Sequence, residues 1–258
     1  MRIISINVNG IKQAAKHGLF NWLTAQNADV VCLQDTRASS HETLELTAEL
    51  NDYFAYATEG MPEQQSGVAI LAKTAPKAII TNLAKTSVDE EGRFIQADFE
   101  RISVASLLFP SGIGDAVAMA QKARFMQDML EYLYKQTNKR RNYIYASSVF
   151  IAHKKSDVKF WRTAQHEIGF LPAERAWLDE LIHDAGYIDA LRCCSRDTDQ
   201  FSYFANSSQD ENLRLGWRFD YQLLTPGIKN TVRSARVIRN TNFGGHCPVQ
   251  VDYDWLLS

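Results

Sequence analysis

The chain predicts an α+β fold in which two β-sheets pack face to face with helices on the outside. Three observations lead there. Short strand-like runs, either alternating or continuously apolar, recur along the whole 258 residues. Stretches with helical spacing stand apart from them. No Pro/Gly/Ser-rich linker or charge-block tail interrupts the chain, so residues 1–258 read as a single domain. At 45% hydrophobic and 22% charged residues, the composition is that of an ordinary soluble protein with a sizeable core.

Taken in order, Arg2 to Val8 alternates as a strand does, and Asn9-Gly10 turns the chain. Ile11, Ala15, Leu19, Trp22 and Leu23 then fall at helical spacing, predicting one helix over 11–26. Asp29 to Leu33 is a short apolar run and reads as a buried strand. Gly67–Lys73, Ala78–Thr81, Phe94–Phe99 and Ile102–Phe109 follow as strands, and Pro110–Gly114 as a loop. From Asp115 to Gln136, Val117, Phe125, Met129, Leu130 and Leu133 share one side of a helix. Tyr143–Tyr145 returns to strand, and Pro172–Asp184 is helical with Glu174 early and an apolar Ala176, Trp177, Leu181 set. Phe201–Phe204, Arg218–Leu224, Ala235–Val237 and Val249–Tyr253 are the remaining strands.

The net charge of −2 argues against a broadly basic nucleic-acid binder but leaves room for a local basic face. Cys32, Cys193, Cys194 and Cys247 form no Cys-x-x-Cys, so neither a zinc site nor a disulfide framework is supported and reduced thiols are expected. No apolar run reaches the length of a membrane span, and the first residues alternate like a strand instead of forming a signal-peptide core. A cytoplasmic protein is the expectation.

Several segments carry a resemblance. Asn-Val-Asn-Gly-Ile at 7–11, Leu-Gln-Asp-Thr-Arg at 33–37, Gly-Val-Ala-Ile-Leu at 67–71 and Glu-Gly-Arg-Phe-Ile at 91–95 come first. Phe-Leu-Pro-Ala-Glu-Arg-Ala-Trp-Leu-Asp at 170–179, Gly-Trp-Arg-Phe-Asp-Tyr at 216–221 and Gly-His-Cys-Pro-Val at 245–249 follow. In this order, and across nearly the whole chain, they resemble the exonuclease III branch of the endonuclease/exonuclease/phosphatase family. The resemblance implies a four-layer αββα sandwich of the DNase I-like type, with a site at one sheet edge. Such a site holds a divalent metal with carboxylates and attacks phosphorus with an activated water.

Carried over residue by residue, the family asparagine falls on Asn7. The metal-binding Glu of Leu-Gln-Glu-Thr falls on Asp35, which keeps the charge but loses one methylene of reach. The Tyr ahead of the Phe-Pro pair becomes Leu108, and the Asp and Asn of Gly-Asp-x-Asn become Ser148 and Phe150. The Asp of the final Ser-Asp-His becomes Gly245, leaving His246 without that orienting carboxylate. Asn7, Asp220 and His246 are kept by identity. Each survivor also has a plainer reading: Asn7 as a strand end, Asp220 as a partly buried ion pair, His246 as a hydrogen-bonded turn residue. From the losses we expect no bound metal, no cofactor and no enzymatic activity, with the old catalytic scaffold retained for binding.

Ser-Ser-Val-Phe-Ile-Ala-His-Lys-Lys-Ser-Asp-Val-Lys at 147–159, with the 174–179 and 216–227 segments and the C-terminal Val-Asp-Tyr-Asp-Trp, further resembles the bacterial catabolite repression control regulators. That resemblance implies translational repression together with the RNA chaperone Hfq at A-rich sites in messenger RNA, in a ternary assembly, with weak or no RNA binding by the isolated chain. Two basic groups suit phosphate contact and base stacking. One is Lys139, Arg140 and Arg141; the other is Lys154, Lys155 and Lys159 with Trp161 and Arg162. Solvated loops are the plainer reading of both. Three functions remain open on sequence grounds: a regulator in an RNA–protein assembly, a respecialised phosphodiesterase using Asp35, Asp220 and His246, and an interaction scaffold without nucleic-acid contact.

Overall fold

The computed structural model describes residues 1–64, 66–84, 89–195, 197–205, 214–241, 243, 244 and 246–257. Two six-stranded sheets form its centre. The first is built from β1 (Arg2–Asn7), β2 (Val30–Gln34), β3 (Phe54–Ala57) and β4 (Val68–Ala72) with the last two strands, β13 (Val232–Val237) and β14 (Val249–Tyr253). Its order is β13-β14-β1-β2-β4-β3. The second takes β5 (Ala78–Ile80), β6 (Phe94–Asp98), β7 (Ile102–Leu108), β8 (Asn142–Ser148), β9 (Ile188–Asp189) and β12 (Asp220–Leu224), in the order β5-β6-β7-β8-β12-β9. A short ribbon, β10 (Tyr203–Phe204) with β11 (Gly216–Trp217), lies outside both.

Alternation along the strands divides the core into layers. Ile3 of β1 faces the other sheet, in a shared core with Val30, Cys32, Ile70, Ile95, Val104, Ile144 and Leu224. Its neighbours Ile4 and Ile6 face outward, against α1 (Ile11–Lys16) and α2 (Leu19–Gln26) through Ile11, Ala14, Phe20 and Leu23. On the far side, α4 (Ala116–Thr137) and α5 (Pro172–Asp179) cover the second sheet, where Phe125, Met129, Trp177 and Leu178 meet Leu107, Tyr145 and Tyr221. This is the four-layer αββα sandwich of the DNase I-like fold.

The interface between the sheets is not wholly apolar. Gln34 Nε2 donates to Ser106 Oγ at 2.9 Å and to the Ala146 carbonyl at 3.2 Å, and Gln222 Nε2 donates to the Ile3 carbonyl at 3.2 Å. Such bonds fix how one sheet slides over the other, because a register slip strands buried amides without partners. Within each sheet one central pair is parallel, β1 with β2 and β7 with β8. Asn7 is level with Gln34, and Leu108 with Ser148, so the C-terminal ends of all four strands gather at one edge.

The expected helix over 11–26 is two helices. The chain breaks at His17-Gly18, where Gly18 takes φ +85°. The expected helix over 172–184 is regular only to Asp179, then widens into a π-helical turn, Glu180–Asp184. The strand at 143–145 extends over all of β8, and that at 201–204 shrinks to Tyr203–Phe204. Missed altogether were β3, α3 (Ser40–Thr47), α6 (Ala190–Cys194) and the two-residue strands β9 and β11. α3 carries its own signal, a Ser39/Glu42 capping box whose hydroxyl accepts from the Glu42 amide. Among the described residues no helix is long and apolar enough to cross a membrane.

Candidate functional site

The residues kept from the family pattern meet at the edge where the parallel strands end. Asn7 closes β1; its Nδ2 donates to Ser148 Oγ at 3.2 Å, and its Oδ1 accepts from the Asn9 amide at 3.0 Å. Asp35 follows β2 with a left-handed backbone, φ +58°, and both of its carboxylate oxygens are held at 2.9 Å by the fork of Arg37. Asp220 opens β12 directly across the ladder from Ser148. Its amide donates to Ser202 Oγ at 3.1 Å, and its Oδ2 lies 2.8 Å from Nδ1 of His246. Its Oδ1 is buried without a hydrogen-bond partner among the described residues.

The sequence-based expectation that His246 lacks an orienting carboxylate is therefore corrected. Gly245, where that carboxylate was sought, lies outside the described residues; the partner comes from Asp220, twenty-six positions earlier. A carboxylate on Nδ1 orients the ring and leaves Nε2 as the nitrogen that meets a ligand. Asp220 is thus no arginine partner. The neighbouring Arg218 instead pairs with Asp157 and Asp189.

Around His246 the walls are aromatic. Tyr203 lies 4.8 Å from the imidazole, centroid to centroid, and Phe150 meets it edge-on at 5.7 Å. Phe219 stacks on Tyr203 at 5.5 Å and is 5.9 Å from Phe150. Phe150 holds a left-handed backbone, φ +53°, and its carbonyl accepts from the buried Lys122 ammonium at 2.9 Å. That ammonium also lies 2.6 Å from Glu174, whose other oxygen accepts from the Gly169 and Leu171 amides. Burial lowers the Lys122 pKa, although Glu174 pulls it back up. Leu108 points into the core between the sheets, level with Ser148. Between Asp35 and Phe150 opens a cavity of about 310 Å³, also bordered by Glu91, Arg93, Phe109 and Ile113.

The divalent metal implied by the family resemblance does not fit the donors as they stand. A hard cation wants several convergent oxygens. Here Asp35 is chelated by Arg37 and the Asn7 oxygen is taken by the Asn9 amide. Among the described residues no three His, Cys, Asp or Glu side chains form a group able to hold a metal ion.

The two basic groups sit at opposite ends of β8. Lys139 and Arg140 are exposed ahead of the strand. Arg141 is folded back onto its own scaffold, donating to Ser103 Oγ at 2.6 Å, to the Ile102 carbonyl at 3.1 Å and to the Phe99 carbonyl. The second group follows Phe150 and stays near the site. Lys155 and Arg162 lie over the Trp161 ring at 4.2 Å and 4.8 Å, while Lys154 is bonded to Asp179 at 2.5 Å. That hydrogen bond holds the Asp179 carboxyl down at about 2. Sequence reasoning did not find Arg37, Lys122, Ser202 or Tyr203. Only Lys122 left a trace, as a lone lysine on the buried side of the 116–137 helix with Phe125, Met126 and Met129.

Residues 4–146 match the Endonuclease/Exonuclease/phosphatase family. The chain belongs to that family. It is 25% identical over 253 residues to an exodeoxyribonuclease of Bacillus subtilis (strain 168), covering 97% of this chain and 98% of that protein. With exodeoxyribonuclease III of Haemophilus influenzae it shares 29% identity over 242 residues, 87% and 88% of the two chains. It also aligns at 26% identity with the DNA repair nuclease APEX1 of Danio rerio, over 96% of this chain and 81% of that one. The fold matches the 3'-5' exonuclease NExo from Neisseria meningitidis with a TM-score of 0.88, at 20% identity over 99% and 100% of the chains. An AP endonuclease from Archaeoglobus fulgidus gives 0.87, at 22% identity over 99% and 100%. These relatives overturn the expectation that the chain is not an enzyme: family members spanning nearly all of it are described as nucleases. One of the losses behind that expectation does not hold in the structure: His246 is supported, since the Asp220–His246 pair is intact.

Proposed function

We propose that this family member binds RNA along the face that runs from Phe150 to Arg162, and that it does so as a translational repressor working with Hfq at A-rich sites in messenger RNA, in the manner of a catabolite repression control protein. One observation carries the nucleic-acid reading. The cations of Lys155 and Arg162 both lie close over the Trp161 ring, at 4.2 Å and 4.8 Å, on the segment that leaves the candidate site. An indole with cations so close offers a stacking surface beside phosphate-binding charge. The Hfq partnership and the regulatory role rest on the resemblance of the 147–159 and 216–227 segments. With a net charge of −2, the isolated chain binds RNA weakly, and a partner holding the RNA supplies the effective concentration. Gel-shift titration of an A-rich RNA, with and without Hfq, tests this. A stable ternary complex and weak binary binding are expected; no supershift of the Hfq–RNA band counts against it.

A second reading has its own observation. The Asp220–His246 pair, 2.8 Å apart and buried, is an arrangement suited to phosphodiester hydrolysis, and the relatives are nucleases. Abasic-site cleavage and 3'-exonuclease assays with Mg²⁺ or Mn²⁺, on the purified chain and on His246→Ala, decide it. Turnover abolished by the substitution supports hydrolysis. Turnover that is indifferent to it marks a contaminant.

A further inference from the structure

A second and larger cavity, of about 810 Å³, lies between the π-helical turn, β9 and α6; of the candidate site and RNA-contact residues only Lys154 borders it, and Asn7, Asp35, Asp220 and His246 do not. Its size falls within the range of small-molecule sites. The floor is ionic but already neutral. Arg218, fully buried, lies 2.9 Å from Asp157 and 2.8 Å from Asp189, and Arg192 pairs with Asp157 as well. Ile182, Tyr187 and Ile188 supply the apolar part of the walls, beside the imidazoles of His153 and His183, and the exposed thiols of Cys193 and Cys194 also line the cavity.

Two features make this more than a crevice. Ile182 lies on a turn closed by an Ala185 amide donating to the Glu180 carbonyl at 3.0 Å, an i to i+5 bond. Such π-turns concentrate at functional sites, because they interrupt the packing of a regular helix. The charge at the rim is also uncompensated. Lys154 is neutralised by Asp179, whereas the exposed Lys229 has no carboxylate partner among the described residues.

We propose that this cavity binds a small organic anion, an apolar or aromatic body carrying a carboxylate or a phosphate. The body lies against Ile182, Tyr187 and Ile188, and the charge meets Lys229. A cation would face Lys229 and Arg192, and the floor aspartates that would attract it are already paired with arginines. A neutral ligand would leave the rim charge unused. Arg218 immediately precedes Phe219 and Asp220, and its carbonyl accepts from Tyr221 OH at 3.2 Å, so the bound anion sits behind the strand that carries the Asp220–His246 pair.

The test uses the full chain with benzoate and phenyl phosphate as probes. Inorganic phosphate serves as the charge-only control and benzyl alcohol as the body-only control. Binding is followed by calorimetry, and position by iodoacetamide alkylation of Cys193 and Cys194 read by mass spectrometry. Saturable binding of at least one aromatic anion is expected, weakened on the order of tenfold by Lys229→Glu and kept by Lys229→Arg. The bound anion should slow alkylation at Cys193 and Cys194, while the buried Cys32 and Cys247 stay unmodified throughout. The proposal is overturned if neither aromatic anion saturates, if either control binds as tightly, if Lys229→Glu changes nothing, or if those two exposed thiols gain no protection.

Discussion

Phe150 is an aromatic residue held where glycine or asparagine is usually found. A left-handed backbone at a bulky residue costs roughly 1–3 kcal/mol, and here it is sustained by the Lys122 bond to the carbonyl and by the ring's contacts with Phe219 and His246. Such aromatic contacts contribute about 0.5–1.5 kcal/mol each beyond burial. Phe150→Asn relieves the backbone while giving up the ring, so its net effect on urea-measured stability should stay within about 1 kcal/mol. A loss of about 3 kcal/mol or more, the usual range for truncating a core aromatic, would show that the strain is not there. Asp157 behaves in the opposite way. Burial pushes its carboxyl up, but the charge and hydrogen bonds of Arg218 outweigh this and hold it well below the usual range. A depressed folded pKa means that the stabilisation is present above the unfolded value near 3.9 and is lost as pH falls below it. Asp157→Asn should therefore cost roughly 3–5 kcal/mol at pH 7, because it leaves Arg218 buried beside a neutral group. It should also flatten the fall of stability below about pH 4, as followed by urea melts across pH. At this scale the sequence named Asn7, Asp35, Asp220 and His246, which the fold does gather at one edge. It could not pair Asp220 with His246, because that contact depends on β12 and the turn before β14 meeting across the edge between the two sheets.

The elements that were legible are those whose period survives over many residues. The 22-residue helix Ala116–Thr137 and the long strands of both sheets are of this kind. The break between α1 and α2 was hidden because apolar spacing runs straight through it: Ala14, Leu19 and Leu23 all pack on the same sheet. Gly18 is the residue that decides it. It takes φ +85°, and a Cβ built there would meet nothing within 4 Å. The cost of adding one is then backbone strain alone. Gly18→Ala should destabilise by about 1–2 kcal/mol, and Gly18→Asn by less, since asparagine tolerates the left-handed region. Equal losses for the two variants in urea titrations would point to a packing cause instead. The short elements β3 and α6 had no comparable signal. β3 lies at the edge of its sheet with Phe54 exposed, and α6 spans only five residues and is started by Asp189 accepting from the Leu191 amide.

Across the whole molecule, charge is divided between two ends of one strand. β8 has seven residues, and at about 3.3 Å per residue its ends stand roughly 20 Å apart. That exceeds the screening length of about 8 Å at physiological salt, so Lys139 and Arg140 at one end act independently of Lys155 and Arg162 at the other. The sequence showed both basic runs but not their separation, nor that Arg141 is committed to the Phe99 and Ile102 carbonyls. Arginines that look alike in a run therefore part into one that holds the fold and one free to meet a partner. Charge reversal should sort them. Arg141→Glu should lower the melting temperature, because Ser103 Oγ and the Phe99 and Ile102 carbonyls each lose a hydrogen-bond donor at once. Arg140→Glu should leave it unchanged. Lys155→Glu with Arg162→Glu should keep the fold, weaken the Hfq–RNA–protein complex, and reduce the slope of log affinity against log salt by about 1.4, at roughly 0.7 for each single-strand phosphate that the protein no longer neutralises. Adding Arg140→Glu should then act additively on the free energy, as expected for sites so far apart. Gel-shift titrations at several potassium chloride concentrations, paired with thermal melts of each variant, measure all of this. An unchanged salt slope in the Lys155/Arg162 double variant would show that RNA does not lie along the Trp161 face.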